Sequence, residues 1–155
     1  MHVFFDVDYT IVSSDYALRR GTVDTFRRLV ADGHSVHVWS GEGLRHQVLR
    51  DFALEEYVSG VYEKPIYDYA RRLERFGIDC VPDFVIDDYP GIVSVFGGYH
   101  VRDFYSKVND DDEMEQVYRT ICDVAAQGWS DHARWRPRHA EFDRLRTGRY
   151  RGTVL

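Results

Sequence analysis

Cysteine is nearly absent from this 155-residue chain: Cys80 and Cys122 stand apart, in no C-x-x-C pair and beside no histidine at zinc-ligand spacing. A disulfide framework is thereby excluded, and two reduced thiols in a cytoplasmic protein are the expectation. The seven histidines are scattered without an H-x-x-x-H pair, so the spacing assigns them no metal. Long apolar runs are missing too. The longest, such as residues 3–5 and 84–86, fall far short of the ~20 residues a membrane-spanning helix needs. The opening residues MHVFFD carry no basic leader and no cleavage site, so neither a membrane span nor a secretory signal is expected. Lysine is the third scarcity. Of 20 basic residues only Lys64 and Lys107 are lysines; Lys107 reads as surface, and Lys64 calls for a role.

What is present has the composition of one globular domain, 44% hydrophobic and 30% charged. A chain of this length buries roughly 68–70% of its unfolded surface, enough for a core without staples. Charge is unevenly distributed. Residues 132–155 hold seven arginines against Glu141 and Asp143, so in a chain of net charge −6 the remainder carries −11. An acidic body repels phosphate backbones, which disfavours general nucleic-acid binding and leaves the basic tail as the segment that argues for it.

Residues 3–8 open as a continuous apolar run that ends in acids, the pattern of a strand buried on both faces of a parallel sheet. From Thr22, the apolar positions Val23, Phe26, Leu29 and Val30 recur at helical spacing until Gly33. Residues 36–39 form a second strand ending at Ser40-Gly41, and Leu44, Val48, Leu49 and Phe52 mark one face of a second helix. A helix is expected after Pro65, with Tyr69, Leu73 and Phe76 before the stop at Gly77. Residues 84–86 form a strand that ends in Asp87-Asp88, with Pro90-Gly91 read as a chain break. Residues 99–105 complete the strands, and residues 111–127 form a helix with Met114, Val117, Ile121 and Val124 on one face, closed by Gly128. Strands alternating with helices predict an α/β fold: a three-layer α/β/α sandwich around a mostly parallel, Rossmann-like sheet.

Such sheets bind ligands at the carboxyl ends of their strands. The apolar runs over residues 3–8, 36–39 and 84–86 deliver Asp6 and Asp8, Ser40, and Asp87 and Asp88 to that edge. Three or four carboxylates together repel one another unless a cation sits among them. Acids without a His or Cys cluster suit Mg²⁺, an oxygen-seeking ion that commonly shares its shell with substrate phosphate. The Ser40 hydroxyl and the Lys64 ammonium would then serve the phosphoryl oxygens.

In this order the residues resemble the haloacid dehalogenase (HAD) superfamily of aspartate-nucleophile phosphohydrolases. The first motif, D-x-D-x-T after an apolar strand, is matched by Asp6-Val7-Asp8-Tyr9-Thr10. The second is matched by Ser40-Gly41, the third by Lys64, and the fourth by Asp87-Asp88, and the resemblance covers roughly residues 2–105. The resemblance implies that Asp6 attacks phosphorus to form an aspartyl-phosphate, while Asp8 protonates the leaving oxygen and then activates water. It implies Mg²⁺ on Asp6, the Asp8 main-chain carbonyl and Asp87, with Asp88 acting through water or in support of a ligand. Thr10 would orient the loop carrying Asp8, and Ser40, Gly41 and Lys64 would hold phosphate. Tyr9 departs from the family, which usually has Gly there, and would narrow the mouth of the site or touch substrate.

Asp8 points to a phosphatase or phosphomutase. With only 29 residues between Thr10 and Ser40, no large cap domain is expected, and members without a cap tend to take bulky or macromolecular phosphates or to borrow a neighbouring subunit. The expected organisation is an HAD-like catalytic domain over residues 1–128 and a basic tail over 129–155, packed on the domain or on a sister subunit in a homo-oligomer. Two other readings compete: a nucleotidase or nucleic-acid end phosphatase using the tail, and a non-catalytic module that binds a phosphorylated ligand. A response-regulator receiver has the wrong order, since it presents its paired acids first and its single phosphoacceptor later.

Overall fold

The computed structural model describes residues 1–142. Six strands form one sheet in the order β3-β2-β1-β4-β5-β6. They are β1 (His2–Asp6), β2 (Ser35–Ser40), β3 (Val58–Glu63), β4 (Phe84–Asp87), β5 (Gly98–His100) and β6 (Trp135–Arg136). The first five run parallel, and β6 pairs antiparallel to β5. Helices α1 (Thr22–Ala31), α2 (His46–Asp51), α3 (Tyr69–Arg72), α4 (Pro90–Phe96) and α5 (Glu113–Gln127) flank the sheet. The fold is α/β with helices on both faces and, among the described residues, no large cap.

The apolar run of β1 has no polar alternation because both of its faces are covered. Val3 and Phe5 pack with Val36 and Val38 beneath α1, α2 and α5, whose Phe26, Leu29, Val48, Leu49, Met114, Val117 and Ile121 are buried there. Phe4, Trp39 and Val85 point the other way, against Leu73, Ile92, Val93 and Phe96. Trp39 lies 4.8 Å from Phe4 and 5.9 Å from Phe96 between ring centroids. Each such side chain contributes about 1.5–3 kcal/mol by burial, so β1 anchors both cores at once.

Several expectations shift. Val23 and Val30 are 39% and 42% exposed, so the buried face of α1 is narrower than the apolar spacing implied, and Leu44, 60% exposed, lies ahead of the shorter α2. Pro90-Gly91 starts a helix instead of breaking the chain, because proline at the first helical position sacrifices no hydrogen bond. The helix after Pro65 shrinks to α3 followed by a 3₁₀ turn over Glu74–Phe76. Edge strand β3 escaped the reading because it is only half buried and lacks an apolar run. Strand β5 stops at His100, and its approach to β4 depends on Gly98: with φ 150°, a β-carbon there would lie 1.9 Å from the Val85 carbonyl oxygen.

Part of the basic segment lies on the sheet. Trp135 and Arg136 form β6, Arg138 donates to the carbonyls of Phe96 and Pro82, and Phe142 stacks edge-on to Phe96 at 4.8 Å. Residues 143–155 of the expected tail fall outside the described residues. Among the described residues no helix is long and apolar enough to cross a membrane.

Candidate active site

Register brings the acids together. Asp6 faces Trp39, one residue short of Ser40, and Phe5 faces Ile86, so Asp87 comes level with Asp6. All three side chains leave the carboxyl ends of the innermost strands. Beyond β1 the chain folds into a tight loop in which the Val7 carbonyl accepts from Ile11 and Val12 at 3.0 and 2.9 Å, and Tyr9 N–H donates to the Val12 carbonyl at 2.8 Å. Tyr9 has φ 59°, a left-handed conformation that glycine adopts freely and tyrosine adopts at a cost of about 1–2 kcal/mol. Its carbonyl accepts from Phe104 N–H at 2.8 Å, and its ring lies 5.4 Å from that of Tyr105.

Two polar networks result. In the first, Lys64 Nζ donates to Asp6 Oδ1 at 2.7 Å and Asp87 Oδ2 at 2.8 Å, while Thr10 Oγ1 donates to Asp6 Oδ2 at 3.1 Å and approaches Asp88 Oδ1 at 3.4 Å. Tyr89 N–H fixes the other Asp87 oxygen at 2.9 Å, and the Asp88 carbonyl pairs with His100 Nε2 at 2.9 Å. In the second, Ser40 Oγ donates to Asp8 Oδ2 at 2.5 Å and accepts from Glu42 N–H at 2.9 Å, and Arg45 pairs with Asp8 Oδ1. The Ser40 carbonyl accepts from Lys64 N–H at 2.8 Å, so the main chain holds the phosphate-binding candidates side by side. Gly41 follows at the cleft wall, where a β-carbon would press on Ile66 at 3.3 Å.

The structure thus places Asp6, Thr10, Lys64, Asp87 and Asp88 in one network and Asp8 and Ser40 in its neighbour. Arg45 escaped the sequence reading. It is one of 18 arginines, lies five residues after Ser40 and belongs to no motif, so nothing in the linear pattern singled it out.

Burial governs the electrostatics. Asp6 and Asp87 are 3% and 0% exposed. Burial, then the Asp87 charge, pushes the Asp6 carboxyl well above the usual carboxylate range, and Lys64 offsets this only in part. Asp87 is pushed up to about 6, again chiefly by burial, against the pull of Lys64 and Tyr89 N–H. Burial works against the Lys64 ammonium as well, but Asp6 and Asp87 outweigh it and hold it above the usual lysine range. One ammonium therefore serves both Asp6 and Asp87, and Asp88 adds a third carboxylate whose oxygen lies within 4.8 Å of theirs. An all-oxygen, acid-rich set of this size fits a hard divalent cation.

These groups open into a cleft of about 660 Å³, which Asp6, Asp8, Ser40, Lys64 and Asp88 line from below and Tyr9, Tyr16, Ile66, Tyr69 and Tyr89 rim from above. No family model matches this chain, and no curated protein matches it in sequence.

Proposed function

We propose that the protein is a Mg²⁺-dependent phosphohydrolase of the haloacid dehalogenase type, cleaving a phosphate monoester through an aspartyl-phosphate on Asp6. The observation that carries this reading is the placing of Asp6 and Asp8, two residues apart, in one cleft with Lys64 Nζ 2.7 Å from Asp6. Asp6, Asp87, Asp88 and the Asp8 main chain would hold Mg²⁺, which supplies charge compensation for the carboxylates and for the phosphoryl group.

Asp6 lies at the cleft floor with Thr10 on one oxygen and Lys64 on the other, which fixes the carboxylate for in-line attack on phosphorus. The P–O bond to the leaving group breaks as the Asp6–phosphorus bond forms, and Asp8 gives the leaving oxygen its proton. Asp8 is held by Ser40 and Arg45, so those donors pass to the phosphoryl oxygens as Asp8 takes up its acid role. Asp8 then accepts a proton from the water that releases phosphate, an acid–base contribution worth roughly 10²–10⁴-fold.

The setting is cytoplasmic in this reading, and the substrate is a bulky or macromolecular phosphate, admitted by a cleft without a cap. A nucleotide or nucleic-acid end is the second reading, favoured by the four tyrosines on the rim, which offer stacking faces for a base. Within the basic segment, Arg134, Arg136 and Arg138 donate to main-chain carbonyls, so that reading leans on the rim instead of these arginines.

Hydrolysis of a generic aryl phosphate, with Mg²⁺, with chelator, and with Asp6→Asn, tests the proposal. Turnover that needs Mg²⁺ and vanishes in the variant is expected. Turnover that survives Asp6→Asn refutes the nucleophile assignment. Without turnover, a Mg²⁺ and beryllofluoride titration decides: trapping of that phosphoryl mimic identifies a demanding substrate, and failure to trap it refutes the site.

A further inference from the structure

A second cluster lies on the α3/α4 face of the sheet, toward the amino ends of the strands and away from the acids of the cleft. We propose that His2, His37 and Cys80 form a binding site for a divalent transition metal of the zinc class. The inference is independent of any activity in the cleft. The three residues are 35 and 43 positions apart along the chain, which is why linear spacing assigned them nothing, and folding brings their donor atoms within 4.8 Å of one another.

The geometry is close to a coordination shell. His2 Nδ1 lies 3.0 Å from His37 Nε2, and Cys80 Sγ lies 3.9 Å from the same nitrogen. Tetrahedral bonds of about 2.05 Å to nitrogen and 2.3 Å to sulfur require edges of about 3.3 and 3.6 Å. Shifts of about 0.3 Å in each separation are within rotamer relaxation. Two imidazoles and one thiolate are also a donor set that prefers zinc to magnesium or calcium.

The histidines are held in place by contacts unrelated to one another. His2 N–H donates to Asp83 Oδ2 at 2.8 Å, and the His37 ring stacks on Phe4 at 4.6 Å between centroids. Residue 60 must be glycine for this packing, since a β-carbon there would lie 2.6 Å from the Tyr62 hydroxyl and 2.8 Å from His37 Nδ1. His37 Nδ1 is buried without a hydrogen-bond partner. His37 is 4% exposed. Cys80 is half buried, which leaves a side open to water as the fourth ligand.

On binding, the Cys80 thiol releases its proton to solvent, and the proton shared between His2 Nδ1 and His37 Nε2 moves to the outer nitrogen of the ring that carries it. Each ligand atom then gives one lone pair to the metal, and no electron is transferred.

The test uses the full chain, freed of any purification tag and of metal, titrated with Co²⁺ as a spectroscopic stand-in for Zn²⁺. One equivalent should produce a thiolate-to-cobalt charge-transfer band with visible bands of tetrahedral intensity. Cobalt on the cleft carboxylates gives no thiolate band. Cys80→Ser should abolish the band, Cys122→Ser should leave it intact, and His37→Gln should weaken binding at least about tenfold. Absence of the band at saturating Co²⁺ overturns the proposal, as does a band that survives Cys80→Ser or depends on Cys122. A measurement on the unmutated protein removes any ambiguity from misfolded variants: Zn²⁺ should slow alkylation of Cys80 at least about tenfold while sparing Cys122, and equal effects on both thiols overturn the assignment.

Discussion

Replacing Asp87 with Asn should stabilise the metal-free protein while abolishing turnover. Asp87 is fully buried, and burial raises its carboxyl from the ordinary 3.8 to about 6 despite Lys64 and Tyr89 N–H. The folded state therefore binds this proton more tightly than the unfolded chain does. The resulting penalty is absent below about pH 4, grows as pH rises toward 6, and is complete above it. At 1.36 kcal/mol per pH unit it reaches roughly 3 kcal/mol. Asparagine keeps the shape and removes the charge. The difference in unfolding free energy between variant and wild type should thus rise by about 3 kcal/mol in the variant's favour from pH 4 to above pH 7, starting about 1 kcal/mol against it because the asparagine amide oxygen accepts from only one of Lys64 and Tyr89 N–H. Urea unfolding in chelator across that range measures it. Asp6 acts in the same direction, since its own upward displacement comes partly from Asp87. A variant less stable than wild type at pH 8, or a difference independent of pH, would refute the reasoning. Adding Mg²⁺ should raise the stability of wild type and do less for the variant, which has lost a ligand.

Arg45→Gln should lower kcat/KM about tenfold to a hundredfold, the worth of one charged hydrogen bond, while changing stability by less than about 1 kcal/mol because the Arg45–Asp8 pair is partly exposed. Steady-state kinetics beside a melting curve separates the two effects. Gly98→Ala should destabilise the fold by about 3 kcal/mol or more, since the added carbon meets the Val85 carbonyl in the neighbouring strand; an unchanged melting temperature contradicts that packing. Phe142→Ala should cost about 3 kcal/mol through its lost contact with Phe96, and a thermal melt indifferent to it would show that residues 139–142 do not contribute to the core.

The central strands were legible because burial on two faces leaves an unmistakable run, as in Val3-Phe4-Phe5 and Phe84-Val85-Ile86. The acids were legible for the same reason: each follows such a run, so the end of the strand and the edge of the sheet coincide. Strand β3 was not, because an edge strand exposed on one side needs no apolar pattern. Helix α4 was hidden by reading Pro90 as punctuation where it serves as a first helical residue. At the candidate site, Tyr9 was legible from its place in the first motif, whereas Arg45, Tyr16, Tyr69 and Tyr89 were invisible because their positions depend on how loops fold back over the sheet, which no local spacing records. The His2, His37 and Cys80 cluster is the extreme case, assembled only by strand register and by the space above Gly60.

The scarcity of lysine acquires a practical meaning once Lys64 is seen clamped between two carboxylates with 13% of its side chain exposed. Of the two lysines, an amine-reactive label applied to the folded chain meets exposed Lys107 as the ready target. Lys64 becomes reactive only when the cleft comes apart. Mass mapping of that single amine therefore makes the native, unmodified protein its own reporter of whether the acids are assembled, with no inserted probe and no knowledge of the substrate.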